Sequence, residues 1–323
     1  VYKRQGLARS FRLKQEIATL PKSAILHAHN TFNPLNLQVG NAAAEHGLKA
    51  FYHPHGALDP ALFADWSPKS LKKRLYIRAF SGPNLNRASG VFALTPLERN
   101  QLISLGITAP IHVVPNGIRP VTVASPEQGL ALRRQHGLDS ADRVMLFIGR
   151  IMPKKRLEDI IQALSLLGAS APHLFIAGSP TAEPDYGEAL FRIVRECGCA
   201  ARVHWLGFLD EAAKSAAYAA ADVFVHASES EGMALAILEA MSAGLPVVAT
   251  RGCYMAEAAA AGALVECAAG PQAIAEGLRP LLADLDKARE QGRRGQAYVA
   301  TVHDWTAIAR RSLQTYAGQG GHA

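Results

Sequence analysis

The sequence predicts an α/β protein of two doubly wound, parallel-sheet domains, and three observations carry that expectation. Short apolar runs such as VMLFIG, HLFIAG and PVVAT are bounded by glycine or other turn residues, and helical spacing of apolar residues follows them. The runs are continuous rather than alternating, as strands are when helices cover both faces of a sheet. The strand-helix alternation also occurs twice, with a lapse between the two stretches.

In the first stretch the expected strands are AILHAH (Ala24 to His29), KAFYHPH (Lys49 to His55), GVFALT (Gly90 to Thr95) and IHVVPNGI (Ile111 to Ile118). A basic helical segment, LKKRLYIRAF (Leu71 to Phe80), lies between the second and third. The pattern lapses through VTVASPEQG and resumes with VMLFIG (Val144 to Gly149), followed by Leu157, Ile160, Ile161, Leu164 and Leu167 at helical spacing up to Gly168. Next come HLFIAG (His173 to Gly178), a helix over Tyr186 to Cys197, VHWLGF (Val203 to Phe208) and a helix over Ala212 to Ala220. ADVFVHA, a helix after Met233 and PVVAT (Pro246 to Thr250) continue the alternation, and an amphipathic helix, Asp304 to Tyr316, ends it. The expected domains are residues 1–122, residues 123–302, and a terminal helix in 303–323 that returns to the first domain. Two Rossmann-like halves are usually comparable in size, so the shorter first domain is expected to be incomplete and to lack an N-terminal βα unit. The opening VYKRQ resembles translated adapter sequence and stands outside the fold argument.

Bulk properties narrow the function. The chain has 323 residues, 49% hydrophobic and 19% charged, which suits globular domains with cores of their own. No apolar run reaches the roughly 18 residues that span a bilayer, and no signal peptide is evident. The net charge of +7 favours anionic partners such as nucleotides, phosphorylated lipids or a membrane surface. Cys197, Cys199, Cys253 and Cys267 form no CxxC pair and have no histidine at zinc spacing, so free thiols in a reducing compartment are expected. There is no P-loop, no serine-histidine-acid elbow, no DNA-reading motif and no DxD metal site.

In open α/β sheets ligands bind beyond the carboxyl ends of the strands, which gives weight to the residues that follow them. Arg150 directly follows VMLFIG and Lys155 comes five positions later, near a helix start, so the pair suits a diphosphate. A solvated surface pair is the alternative. After ADVFVHA, the chain SESEGMALAILEAMSAGLP places Glu231 in a loop, then Gly232, Met233, Ala234 and Leu235 where backbone amides can meet an anion, then Glu239 within the helix. Eight helical residues rise about 12 Å, enough for the two carboxylates to address different parts of one extended ligand. Capping for Glu231 and a solvent-facing position for Glu239 are the plain alternatives. His27 and His29 are expected on opposite faces of their strand, with His29 toward any ligand. Lys72, Lys73, Arg74 and Arg78 suit anionic lipid head groups or, equally, a solvated helix face.

The stretch EGMALAILEAMSAGLPVVAT, with GRIMPKKRLEDIIQAL and VPNGI upstream, resembles the family 4 glycosyltransferases of the GT-B fold, whose motif has two glutamates with seven residues between them, as Glu231 and Glu239 have here. The resemblance runs from about residue 24 to 316 and takes in HPHGALDP, TPLE (Thr95 to Glu98) and the terminal helix with Trp305. It implies two Rossmann-like domains facing a cleft. Glu239 would hold the ribose of a nucleotide donor, Arg150 and Lys155 its diphosphate, and Glu231 the transferred sugar. The Gly232 to Leu235 backbone would complete the phosphate cradle, with the base near Phe208 and Leu209. His55 would face the sugar from the first domain, and Asn116 and Gly117 would form the crossover. Where the family usually has glycine after the lysine, this chain has Arg156, and no early glycine-rich loop is present.

The resemblance implies a retaining hexosyltransferase that uses a nucleotide diphosphate sugar, needs no metal or other cofactor, and serves cell-surface polysaccharide biosynthesis. Its acceptor would be a glycan or a lipid-linked glycan, in the cytoplasm or at the inner face of the cell membrane. A GT-B nucleotide-sugar epimerase and a non-catalytic nucleotide-sugar-binding remnant are the competing readings.

Overall fold

The structure, a computed structural model, describes residues 11–318, and VYKRQ lies outside them. The chain divides into two compact units, residues 1–116 with 308–323, and residues 117–307.

The first unit contains α1 (Phe11–Ala18), β1 (Ile25–His29), α2 (Pro34–His46), β2 (Lys49–His53), α3 (Pro68–Tyr76), α4 (Gly82–Asn86), β3 (Gly90–Ala93), α5 (Pro96–Ser104) and β4 (Ile111–Val113). Its four strands are parallel, in the order β1-β2-β3-β4. The helices follow local signals. Asn33 caps α2 by accepting from the Leu35 amide, Pro34 occupies a first-turn position where no amide hydrogen is needed, and Gly47 at φ 63° ends the helix in the left-handed region. On one face of the sheet Ala28, Ala50, Tyr52, Val91 and Ala93 form a core with Leu85 and Leu102. On the other, Phe51, Phe92 and Val114 pack with Ile308 and Tyr316.

The second unit contains α6 (Pro126–Gln135), β5 (Val144–Ile148), α7 (Leu157–Leu167), β6 (His173–Ala177), α8 (Pro184–Glu196), β7 (Val203–Gly207), α9 (Glu211–Ala220), β8 (Val223–His226), α10 (Leu235–Ser242), β9 (Val247–Thr250), α11 (Ala256–Ala260), β10 (Val265–Cys267), α12 (Pro271–Ala283) and α13 (Leu285–Val302). Six parallel strands run β10-β9-β8-β5-β6-β7. Their apolar runs are buried on both sides: Met145, Leu146, Phe147, Phe175, Phe224 and Val248 are wholly inaccessible to solvent. α14 (Trp305–Tyr316) follows, and from residue 308 it belongs to the first unit.

Several elements, among them α2, α5, α12 and α13, lie where the sequence pattern placed none, and two more show why an element can be missed. The expected lapse after VVPNGI holds α6, and a capping box starts it: Ser125 Oγ accepts from the Gln128 amide while the Gln128 side chain accepts from the Ser125 amide. β10 is only three residues long and partly polar, too short for a periodicity signal. At the crossover Gly117 has a packing reason to be glycine, since a Cβ there would stand 2.6 Å from the Trp305 ring. Within the same unit the Ile118 amide donates to the His303 carbonyl at 2.9 Å.

Candidate active site

In the six-stranded sheet the chain runs from β5 outward through β6 to β7, then returns to place β8 on the other side of β5. The crevice at the carboxyl ends of β5 and β8 is therefore the switch point where such sheets bind ligands. The segment 149–156 follows β5, and the segment 227–234 follows β8.

These two segments meet. The Lys155 ammonium pairs with the Glu231 carboxylate, and both side chains are largely buried, 13% and 15% exposed. Ser228 Oγ donates to the same carboxylate oxygen. His226, the last residue of β8, sets its Nε2 3.4 Å from Lys155 Nζ. That ring is 1% exposed, stacks on Phe147, and leaves its buried Nδ1 without a hydrogen-bond partner. Burial pushes the Glu231 carboxyl up, but the His226 ring, the Lys155 charge and the Ser228 hydroxyl more than offset it and hold the group well below the usual carboxylate range. Burial lowers the His226 imidazole, which favours its neutral form.

Glu231 does not cap α10. The cap residue is Ala234, which offers no side-chain bond, so the first amides of α10 have no side-chain partner there. Arg150 is exposed and makes no hydrogen bond or ion pair among the described residues. Arg156 stands at φ 48° in the left-handed region, which is the conformation glycine adopts most readily. Its guanidinium compensates by binding Asp159 at 3.1 and 3.2 Å, just inside α7.

Glu239, on α10, has its own partners. Lys214 Nζ lies 3.0 and 2.9 Å from its two oxygens, and Tyr218 Oη donates to it at 2.9 Å. Lys214 and Tyr218 are four residues apart on α9 and so share a helix face. Glu239 is thus not a solvent-facing residue. With Leu235, Lys214, Ser215, Arg119, Thr122 and Trp305 it lines a cavity of about 740 Å³. Phe208 is 86% exposed after β7, whereas Leu209 lines a different cavity beneath α6 and α9. Those two residues are not brought to the Glu239 cavity.

In the first unit, His55 follows β2 at φ 56°, a strained value for a non-glycine residue. Glu98, 3% exposed, holds that loop, accepting from the Gly56 amide at 2.6 Å and from the Leu94 amide at 2.6 Å. Thr95 caps the same helix, α5, by accepting from the Glu98 amide at 3.0 Å. Glu98→Gln would turn one acceptor into an amino group facing a backbone N–H. It is expected to cost about 1–3 kcal/mol in urea unfolding and to speed hydrogen exchange at Gly56 and Leu94. Unchanged stability and exchange would show that other contacts hold the His55 loop.

His27 and His29 share one face of β1, contrary to the expectation of opposite faces, because side chains two apart along a strand point the same way. Their rings stack at 4.6 Å, and His29 Nδ1 lies 2.8 Å from His55 Nε2. Of the basic segment, Lys73 and Arg74 do not form a free solvated face. Lys73 donates to the Leu62 carbonyl at 3.3 Å, and Arg74 to the carbonyls of Phe63, Ala64 and Asp65 at 2.7–3.0 Å. His226, Ser228, Lys214 and Tyr218 are functional candidates that sequence motifs did not single out. His226 alone had a usable signal, its place at the end of a strand.

Residues 130–298 match the family described as Glycosyl transferases group 1, and residues 2–117 match the Glycosyl transferase 4-like domain. A D-inositol 3-phosphate glycosyltransferase of Mycolicibacterium gilvum is 34% identical over 171 residues, covering 51% of this chain and 37% of its own. One of the same description from Nocardia farcinica is 30% identical over 241 residues, covering 71% and 52%. The chain spans about half the length of the curated relatives it matches. Among solved structures, Anabaena HepE in complex with UDP and glucose superposes with a TM-score of 0.80 at 22% identity, covering 95% of this chain and 80% of that one. Sucrose-phosphate synthase from Thermosynechococcus elongatus gives 0.73 at 21% identity, covering 91% and 73%.

Proposed function

The chain belongs to the group 1 glycosyl transferases and has the GT-B fold, and from that premise we propose that it moves a hexose from a nucleotide diphosphate sugar to a glycan or lipid-linked acceptor with retention of configuration. The observation that carries this reading is the Lys155–Glu231 pair at the switch point of the second sheet, beside the uncapped start of α10. A diphosphate leaving group gathers negative charge as the sugar bond breaks. Lys155, Arg150 and the amides of Met233, Ala234 and Leu235 supply positive charge and N–H donors for it, so the donor site works without a metal. Glu231, ionised by its surroundings, stabilises positive charge developing at the sugar carbon. Glu239, fixed by Lys214 and Tyr218, accepts from the ribose hydroxyls, and His55 orients a sugar hydroxyl. UDP is the first nucleotide to try, since HepE is described in complex with UDP and with UDP-glucose.

The place of action we propose is the cytoplasm, in cell-surface polysaccharide biosynthesis. Among the described residues no helix is long and apolar enough to cross a membrane. Peripheral contact with an anionic membrane face is supported by Trp66, Leu71, Leu75 and Phe80, all exposed, which lie along the same segment as Lys69, Lys72 and Arg78.

A panel of nucleoside diphosphates tests the binding half of the reading. A ligand at 100 times its dissociation constant stabilises the folded state by about 2.7 kcal/mol, so one diphosphate should raise the melting temperature while its nucleoside does not. Isotope-labelled donor tests the rest. Label passing to an acceptor supports transfer, label retained in an epimerised donor supports the isomerase, and binding with neither leaves a remnant.

A further inference from the structure

Four histidines gather at the carboxyl ends of β1 and β2, and the donor chemistry uses only one of them. His29 and His53 are paired neighbours in the parallel register, and His27 lies two residues before His29 on the same face. One ring nitrogen from each of His27, His29 and His53 lies within 4.8 Å of the other two. His27 Nε2 and His53 Nε2 are buried and meet no hydrogen-bond partner, an expensive arrangement for two polar atoms side by side. From this geometry we propose that His27, His29 and His53 form a three-imidazole site for a divalent transition metal of the zinc class, with a fourth position left open to solvent beside the exposed His29.

Each part of the cluster suits that role. Metal-bound histidines usually pass their second ring N–H to a neighbour, which fixes the tautomer and the ring plane. Here His27 Nδ1 meets Tyr316 Oη and His29 Nδ1 meets His55 Nε2, which leaves an Nε2 lone pair on each ring for the metal. A ligand set of nitrogen alone favours zinc, cobalt, nickel or copper over magnesium or calcium. Tetrahedral zinc with bonds of 2.0–2.1 Å sets its nitrogens about 3.4 Å apart, a closure that side-chain rotation on two fixed strands can supply. Metal on His29 would also fix the hydrogen bond that aims His55, so the site would act on the orientation of that residue. The inference is independent of which nucleotide the second unit binds.

The test uses the untagged full chain stripped with a chelator and titrated with Co²⁺, whose tetrahedral complexes absorb visibly, then with Zn²⁺ in competition. One equivalent per chain is expected, displaced by Zn²⁺. His29→Ala, at an exposed position where folding is not at stake, should abolish the absorption, as should His53→Gln if it folds. Tyr316→Phe, which keeps the three ligands and removes only the bond to His27, should weaken binding 10–100-fold. No tetrahedral absorption, or absorption undiminished in His29→Ala, would overturn the proposal. So would loss through His173→Ala instead, which would place the metal on the separate His136, His173 and His204 cluster of the second unit.

Discussion

Lys155→Ala is expected to lower affinity for a nucleoside diphosphate by 10- to 100-fold while leaving nucleoside affinity within a few-fold, because its partners in the ligand would be phosphate oxygens. One lost charge-assisted bond is worth about 1.5–3 kcal/mol. The same change would strand the Glu231 carboxylate, largely buried beside His226, and breaking such a pair costs about 3–5 kcal/mol of stability. Binding loss and unfolding must therefore be separated. Removing both partners in Lys155→Ala/Glu231→Ala leaves no unpaired charge and should recover most of the stability. Diphosphate affinity should stay low in that double variant. Calorimetric titration of both variants, beside urea unfolding, decides the matter. Equal losses for nucleoside and diphosphate would remove Lys155 from the phosphate site.

The pair also sets a pH window. The folded-state pKa of Glu231 is depressed below its ordinary value of 4.5, so its contribution to stability is complete above that value and is lost as pH falls toward the folded pKa. Without Lys155 the depression shrinks, and the acid limb of the stability profile should flatten.

Much of the fold was legible because buried parallel strands read as unbroken apolar runs. VMLFIG, HLFIAG and VFVH lie where the sequence places strands. α6 was legible too, through Ser125 and Gln128, but a capping box without a strong apolar stripe is easy to pass over. The site was legible only where residues lie close in sequence. Lys155 and Glu231 are 76 residues apart, and nothing in either neighbourhood shows that they touch. Lys214 and Tyr218 sit in an alanine-rich helix that looks like plain packing until Glu239 arrives from α10. The histidine cluster shows a different obstacle. His27 and His29 share a face by the period of the strand alone, but His53 joins them only through the register of β1 on β2. The Arg156 departure makes sense only with its dihedral known, since the letter shows neither the left-handed backbone nor the Asp159 contact that goes with it.

Glu231→Gln and Glu239→Gln are expected to fail in different ways. Both keep the side-chain shape and remove the charge, but the two carboxylates have separate partners: Lys155, Ser228 and His226 for the first, Lys214 and Tyr218 for the second. If the first amides of α10 take the diphosphate, Glu231 stands on the sugar side, where charge matters most as the glycosidic bond breaks. Its loss should lower kcat by about 10²–10³-fold, the usual cost of one preorganised stabilising group, and leave the donor KM within a few-fold. Glu239 stands in the cavity with Lys214, and in the proposed reading its carboxylate would accept from ribose hydroxyls that do not change during reaction. Its loss should raise the donor KM about 10-fold, near 1.4 kcal/mol, with a smaller change in kcat. Freed of its carboxylate partner, Lys214 would also draw a phosphate into the wrong register, so Glu239→Gln should narrow the preference for diphosphate over monophosphate. Steady-state kinetics with varied donor, run beside melting curves for both variants, separates these outcomes. Matching kinetic profiles would mean that the two carboxylates act on the same part of the donor. Losses tracking the unfolded fraction would return both to a structural role.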